Sequence, residues 1–361
     1  MSKMRLGVIF GGKSTEHEVS RVSAAHVIEA ADPEKYDIVK IGITPQGSWL
    51  LYEGPTEAMR DGSWQAKAEA DLASDPERFG FSVVGSAGRQ LKDMIDFALP
   101  ILHGVNGEDG SVQGLLQIAD IPYGGSGIAG SAVAMDKITA KRVMDAVGIP
   151  QTPYIAFLSS EVSPELEARI NAELRYPVFI KPVNMGSSVG ISKVKTPEEL
   201  MPAIEFAARF DSRLLAEQGV DCREIEVAVM GNDEPKAYAL GEIIVGAEFY
   251  DYDDKYTNGV SHPEIPAKIE PELRDRILRL AEEAYKAMGC EGFSRCDFMV
   301  DRGTGEVFIN EINTIPGFTP ISMFPMLMQS AGVSYSEIID RIVELGLERF
   351  RRRTALQSAR M

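Results

Sequence analysis

The chain has 361 residues, 44% hydrophobic and 25% charged, enough apolar material for a sizeable core and enough length for two or three domains. Its formal charge of −17 excludes a general nucleic-acid binder, which needs clustered Lys and Arg against phosphates. No signal-peptide pattern or membrane-length apolar run is evident, so a cytoplasmic protein with no membrane partner is expected.

Three scattered cysteines, Cys222, Cys290 and Cys296, lack metal-ligand spacing and fit a reducing compartment. Cys296 abuts Asp297 but has no evident base, and is read as a buried bystander.

In chain order, MRLGVIFGG predicts a buried parallel-type strand running into a glycine turn, with an amphipathic helix after it. YDIVKIGIT and IDFALPILHG predict further strands. Their alternation with helices predicts an open parallel α/β sheet with ligands beyond the strands' carboxyl ends. The stretch 45–80 carries no readable chemistry. The loop GGKSTEHEVS at 11–20 lacks G-x-G-x-x-G, which disfavours a nucleotide-linked oxidoreductase. Glu16 in this loop could hold a substrate ammonium or complement a helix dipole. HGVNGEDGSVQG at 103–114 is a second strand-end loop, in which His103 has either an acid–base or a structural role and Asp109 could cap the next helix.

Glycines at 124–130 lead into a run, 131–147, that reads as one long helix containing Lys137. YPVFIKPVNMGSSVGISKV at 176–194 is a strand ending in Lys181, a Gly-Ser loop with Ser187, and a second strand. Such a loop can lay backbone N–H groups and hydroxyls against phosphate, although it is no P-loop. EQGV, from Glu217 to Val220, reads as a link between domains whose backbone could meet an adenine edge. The strand after it carries Glu224 and Glu226 two residues apart. The polar, tyrosine-rich loop 247–267, with Lys255 and Tyr256, has the length of a lid or binding loop. Residues 271–289 form a clear amphipathic helix.

RCDFMVDRGTGEVFINEINTIPG at 295–317 predicts a β-hairpin. Glu311 and Asn313 share a face, and Asp297 can approach from the partner strand. Three oxygen donors suit a hard cation such as Mg²⁺, which completes its shell with water and phosphates; the bland alternative is an acidic surface hairpin. The basic run RFRRR at 349–353 reads as a solvated helix end.

Taken in order, GGKSTEHEVS, HGVNGEDGSVQG, MDK, VFIKPVNMGSSVGISKV, EQGV with CREIEVAV, YDYDDKY, and RCDFMVD with EINTIPG resemble the D-alanine:D-alanine ligase family of the ATP-grasp superfamily, over about Gly11 to Met323. The resemblance implies an α/β protein of three domains. These are an amino-terminal substrate domain (1–125), a central domain (126–218) and a carboxyl-terminal domain (219–361), with ATP clamped between the last two.

It implies that Lys137 and Lys181 contact ATP phosphates, that Glu217 and the link through Val220 bind adenine, and that Glu224 binds ribose. Asp297, Glu311 and Asn313 would hold two Mg²⁺ ions, for which Mn²⁺ can substitute, and there is room for a monovalent cation such as K⁺. Glu16 would anchor the first D-alanine, linked through Ser187 to Tyr256, with His103 near its carboxylate and Lys255 at the transferred phosphate. Arg295 and the Gly317 N–H would stabilise an oxyanion, and Ser322 and Met323 would bind the second D-alanine.

The implied partners are D-alanine and ATP, in a homodimer that serves peptidoglycan precursor synthesis. Asn184-Met185 and Met323 depart from the family pattern, at positions expected to act through backbone or packing. Tyr256 favours an amine over a hydroxy acid as second substrate, so a D-alanine:D-lactate ligase is the near alternative. A nucleotide-binding module without catalysis is the remote one.

Overall fold

The computed structural model describes residues 3–85, 88–244 and 261–358. Lys255, Tyr256 and most of the 247–267 loop lie outside the described residues. The described residues form three sheets: the first and third share one apolar core, each has a further core on its other face, and the second packs on its own.

The first sheet has the order β3-β2-β1-β4, from β1 (Met4–Gly11), β2 (Tyr36–Ile43), β3 (Trp49–Tyr52) and β4 (Phe97–Pro100). Strands β2, β1 and β4 are parallel, as the strand–helix alternation predicts, but β3 is antiparallel to β2. The sheet is therefore mixed, not purely parallel. The stretch 45–80 supplies that edge strand and Trp64, which is 1% exposed and packs edge-on against Phe10 with ring centroids 4.8 Å apart. An insertion without chemistry thus completes the core.

The second sheet has the order β5-β8-β6-β7, from β5 (Tyr154–Leu158), β6 (Val178–Pro182), β7 (Ser192–Val194) and β8 (Arg213–Gln218), all antiparallel. The third is also antiparallel, with order β11-β10-β9-β12-β13. Its strands are β9 (Cys222–Gly231), β10 (Lys236–Ile244), β11 (His262–Glu264), β12 (Gly292–Asp301) and β13 (Val307–Asn313). The helix Pro271–Ala287 packs its apolar stripe on this sheet.

Two expectations are overturned. The run 131–147 is two helices, Ile128–Met135 and Lys137–Val147, broken at Asp136. Asp136 leaves helical geometry, accepts the Thr139 N–H at 2.8 Å as a cap, and pairs with the Arg213 guanidinium. The break turns Lys137 toward the second sheet.

The RFRRR run is not a solvated helix end either. In the helix Tyr335–Ser358, the Arg349 side chain is 12% exposed. It donates to the carbonyls of Tyr123 (2.8 Å) and Gly125 and lies 4.2 Å from the Tyr123 ring centroid. Arg352 reaches Asp233 and Glu291, and Arg353 reaches Asp120. These arginines bind the segment after β4 to the third sheet, because the helix packs its apolar face across the first sheet and carries its basic run onto the Tyr123 and Gly125 carbonyls.

Candidate active site

The second and third sheets face each other across a cavity of about 1530 Å³, closed at one end by the strand-end loops of the first sheet. All the described candidate residues line it.

On the second sheet, Lys181 ends β6 and Glu217 lies near the end of β8. Glu217, 2% exposed, sits between two ammonium groups, with Lys141 and Lys181 each 2.6 Å away, and also accepts from the Thr152 hydroxyl. Burial alone would raise the Glu217 pKa, but the two lysines outweigh it and hold the carboxyl far below the usual range. Likewise burial would lower Lys181, and Glu217 keeps it raised and charged. Lys137 donates to the Met185 carbonyl at 2.6 Å, within the Gly-Ser loop; burial lowers its pKa.

In that loop Ser187 (φ 47°) and Ser188 (φ 61°) are both left-handed, a conformation that costs roughly 1–3 kcal/mol per non-glycine residue. Asn184 is fastened to Asp211 by two 3.0 Å hydrogen bonds, so this unusual position acts structurally. The EQGV link donates the Gln218 and Gly219 N–H groups to the carbonyls of Pro153 and Pro177. Any adenine edge must then be read by other groups of the link.

On the third sheet, Asp297 on β12 pairs directly with Glu311 on β13, the register that convergence requires. A bulge after Asp297 shifts the pairing that follows. Asp297 also lies opposite Glu226 on β9, so Glu226, Asp297 and Glu311 form one cross-strand row of three carboxylates. Like charges directly opposite are destabilising unless a cation sits among them. Arg295 supplies one. It binds Asp297 through Nε and Nη2, both at 2.7 Å, and its Nε is 2.8 Å from Glu226. Asn313 donates to Asp297 at 2.9 Å.

Among the described residues no three His, Cys, Asp or Glu side chains form a metal cage. Two carboxylates and an amide, all hard oxygen donors, fit a Mg²⁺-like ion that takes its other ligands from substrate phosphate and water.

The first sheet's loops meet these walls. Glu16, 8% exposed, accepts the Ser187 hydroxyl at 2.5 Å. Its carboxylate fits only because two neighbours lack side chains: a Cβ at Gly186 would lie 2.7 Å from Oε2, and one at Gly104 (φ +70°) closer still. Glu108 and His103 grip one peptide from both ends. Glu108 accepts the Ile315 N–H at 3.0 Å and the Gly104 N–H at 2.9 Å, while the Ile315 carbonyl is 3.0 Å from His103 Nδ1. Burial lowers the His103 pKa and pushes that of Glu108 up to about 8.

The irregular segment beyond leads to Gly317 and then to the N-terminus of the helix Met323–Ser330, with Ser322 at its cap position. Helix N–H groups and dipole there favour a carboxylate. Burial holds the Cys296 thiol well above its ordinary pKa, so no reactive thiolate is present.

Residue patterns alone did not name Lys141, and named Glu108 and Glu226 without giving either a role. Lys141 lies one helical turn after Lys137, and Glu226 shares the Glu224 face of β9.

Cations on one wall, acids on the other and a Gly-Ser loop between them define an enzyme that handles a cation-bound polyphosphate. Comparison with known proteins narrows the class. The family model "D-ala D-ala ligase N-terminus" matches residues 5–126 and "D-ala D-ala ligase C-terminus" matches 143–344. The D-alanine–D-alanine ligase of Ruminiclostridium cellulolyticum is 46% identical over 97% of both chains, and that of Acetivibrio thermocellus is 44% identical over 96% of this chain and 97% of its own.

Among solved structures, the D-alanine-D-alanine ligase from Coxiella burnetii superposes with TM-score 0.85 at 32% identity, covering 99% of this chain and 98% of its own. The VanG D-Ala:D-Ser ligase from Enterococcus faecalis gives 0.81 at 36%, covering 96% and 100%. The chain belongs to the D-alanine–D-alanine ligase family, a membership that implies ATP and a divalent metal.

Proposed function

We propose that this chain joins two D-alanine molecules into D-alanyl-D-alanine with cleavage of ATP, for peptidoglycan precursor synthesis. The observation that carries this reading is the 2.5 Å contact of Glu16 with Ser187, which ties a buried amino-acid anchor to a phosphate loop in the cavity between the two charged walls.

Lys137 and Lys181 hold ATP phosphates, Glu224 holds ribose, and Glu217 and the link through Val220 face adenine. Asp297, Glu311 and Asn313 hold two Mg²⁺ ions, which neutralise phosphate charge. Glu16 binds the ammonium of the first D-alanine, with His103 near its carboxylate. That carboxylate attacks the γ-phosphorus, the bond to the bridging oxygen breaks, ADP leaves, and D-alanyl phosphate forms.

Ser322 and the Met323 N–H hold the second substrate's carboxylate. Its deprotonated amine attacks the acyl carbon, Arg295 and the Gly317 N–H stabilise the tetrahedral oxyanion, and phosphate leaves. Lys255 is assigned to the transferred phosphate and Tyr256 to the Glu16–Ser187 pair. The three sheets support a division into units 1–125, 126–218 and 219–361, with nucleotide between the last two.

The test is phosphate release from ATP and Mg²⁺ with D-alanine, D-serine, D-lactate or L-alanine, with the products identified. D-alanine alone should support release and yield the dipeptide. An ester formed when D-lactate is added would establish the D-lactate alternative, and absence of any D-alanine-dependent release would contradict the reading.

A further inference from the structure

The row Glu226, Asp297, Glu311 places three carboxylates side by side, and Arg295 lies between the first two. Arg295 uses both oxygens of Asp297, the bidentate geometry that makes guanidinium–carboxylate pairs strong. Those are the oxygens a cation at Asp297 would need. The guanidinium is 17% exposed at its side chain, so it cannot give up a carboxylate without another to take its place. Glu226, 9% exposed at its side chain, is already 2.8 Å from Nε and stands on the strand opposite the metal-bearing hairpin.

We propose that Glu226 is a positioning residue: it retains the Arg295 guanidinium when Asp297 turns to a cation, which makes the Arg295–Asp297 pair a displaceable latch over the metal site. The inference rests on the assignment of Asp297 as a metal ligand. In the latched state Arg295 and Asp297, two residues apart on β12, neutralise each other. In the released state Glu226 holds Arg295 beside the cavity, its charge freed from Asp297 and available to a developing oxyanion. Cation binding and the arming of Arg295 are then one event, and Glu226 determines how readily it happens.

The test is Mn²⁺ binding to the protein saturated with a non-hydrolysable ATP analogue, followed by electron paramagnetic resonance. E226Q keeps shape and hydrogen bonding but not charge. It should weaken Mn²⁺ binding about tenfold, the effect of losing one charge-assisted hydrogen bond in the released state. R295M removes the competitor and should tighten binding. In the R295M background E226Q should then change little, because Glu226 acts through Arg295.

E226Q that binds Mn²⁺ as the wild type does, or a weakening that persists in R295M as expected of a direct ligand, would overturn the proposal. If R295M does not fold, R295Q replaces it in the same cycle. A second readout separates positioning from fold damage: raising Mg²⁺ should restore kcat in E226Q, with the half-saturating Mg²⁺ concentration shifted upward. D297N is the control for the underlying assignment. If it leaves Mn²⁺ binding intact, the metal site itself is misplaced; if it abolishes binding while E226Q has no effect, only the latch fails.

Discussion

The two walls of the cavity are built on the same plan with the charges reversed. On the wall formed by the second sheet and the helix Lys137–Val147, lysines face the cavity and one enclosed carboxylate, Glu217, lies between Lys141 and Lys181. On the third sheet, carboxylates face the cavity and one enclosed guanidinium, Arg295, lies between two of them. Each wall thus holds its ligand-facing groups aimed before a ligand arrives, as preorganised electrostatics requires.

The difference is in what can be released. Glu217 is fixed from both sides and by Thr152, so its wall is a rigid cradle. Arg295 occupies both oxygens of Asp297, so a cation at Asp297 would require that wall to rearrange.

The comparison breaks most sharply at Glu311. E311A should lower kcat by about 10²–10³ without unfolding the chain, since it removes an acid from a crowded row. Steady-state kinetics with a thermal melt checks both halves, and unchanged Mg²⁺-dependent turnover would remove Glu311 from the site. On the opposite wall the same kind of change should damage the fold. E217Q leaves two buried ammonium groups facing each other and should cost about 3 kcal/mol of stability, read by urea denaturation.

The lysine wall should also show its pairing in a pH response. The Glu217 pKa, raised by burial but lowered further by Lys141 and Lys181, lies below that of an unfolded carboxyl. Its contribution is therefore fully present above the ordinary carboxylate range and is lost as pH falls through it, below about pH 4. Wild type and E217Q should therefore converge in stability on acidification, read by urea denaturation at each pH. The smallest effect should come from a residue outside both walls. R349M orphans the Tyr123 and Gly125 carbonyls and should cost about 2 kcal/mol with kcat nearly unchanged.

How much of this was legible in the sequence depends on how local each cause is. The hairpin was legible because strand alternation and a turn at 301–305 fix which side chains share a face, and Asp297 does pair with Glu311. The break at Asp136 was not, since a lone Asp is compatible with a helix surface; its cap to Thr139 is local, but its ion pair with Arg213 lies 77 residues on. Arg349 was misread for the same reason: its partners are carbonyls more than 220 residues earlier. Glu226 was visible as a residue spaced two from Glu224, but its partner is set by the β9–β12 pairing, which local pattern does not encode.

The central claim is that one nucleotide lies between the two walls, with its phosphates on the lysines and its cations on the acids. A crystal structure of the chain with ADP, Mg²⁺ and a phosphinate analogue of D-alanyl-D-alanine would test it directly. The account predicts phosphate oxygens within hydrogen-bond distance of Lys137 and Lys181, and Mg²⁺ ligated by Asp297, Glu311 and Asn313 with Arg295 turned from Asp297 toward the analogue. Nucleotide bound elsewhere, or cations that leave the Arg295–Asp297 pair closed, would contradict it.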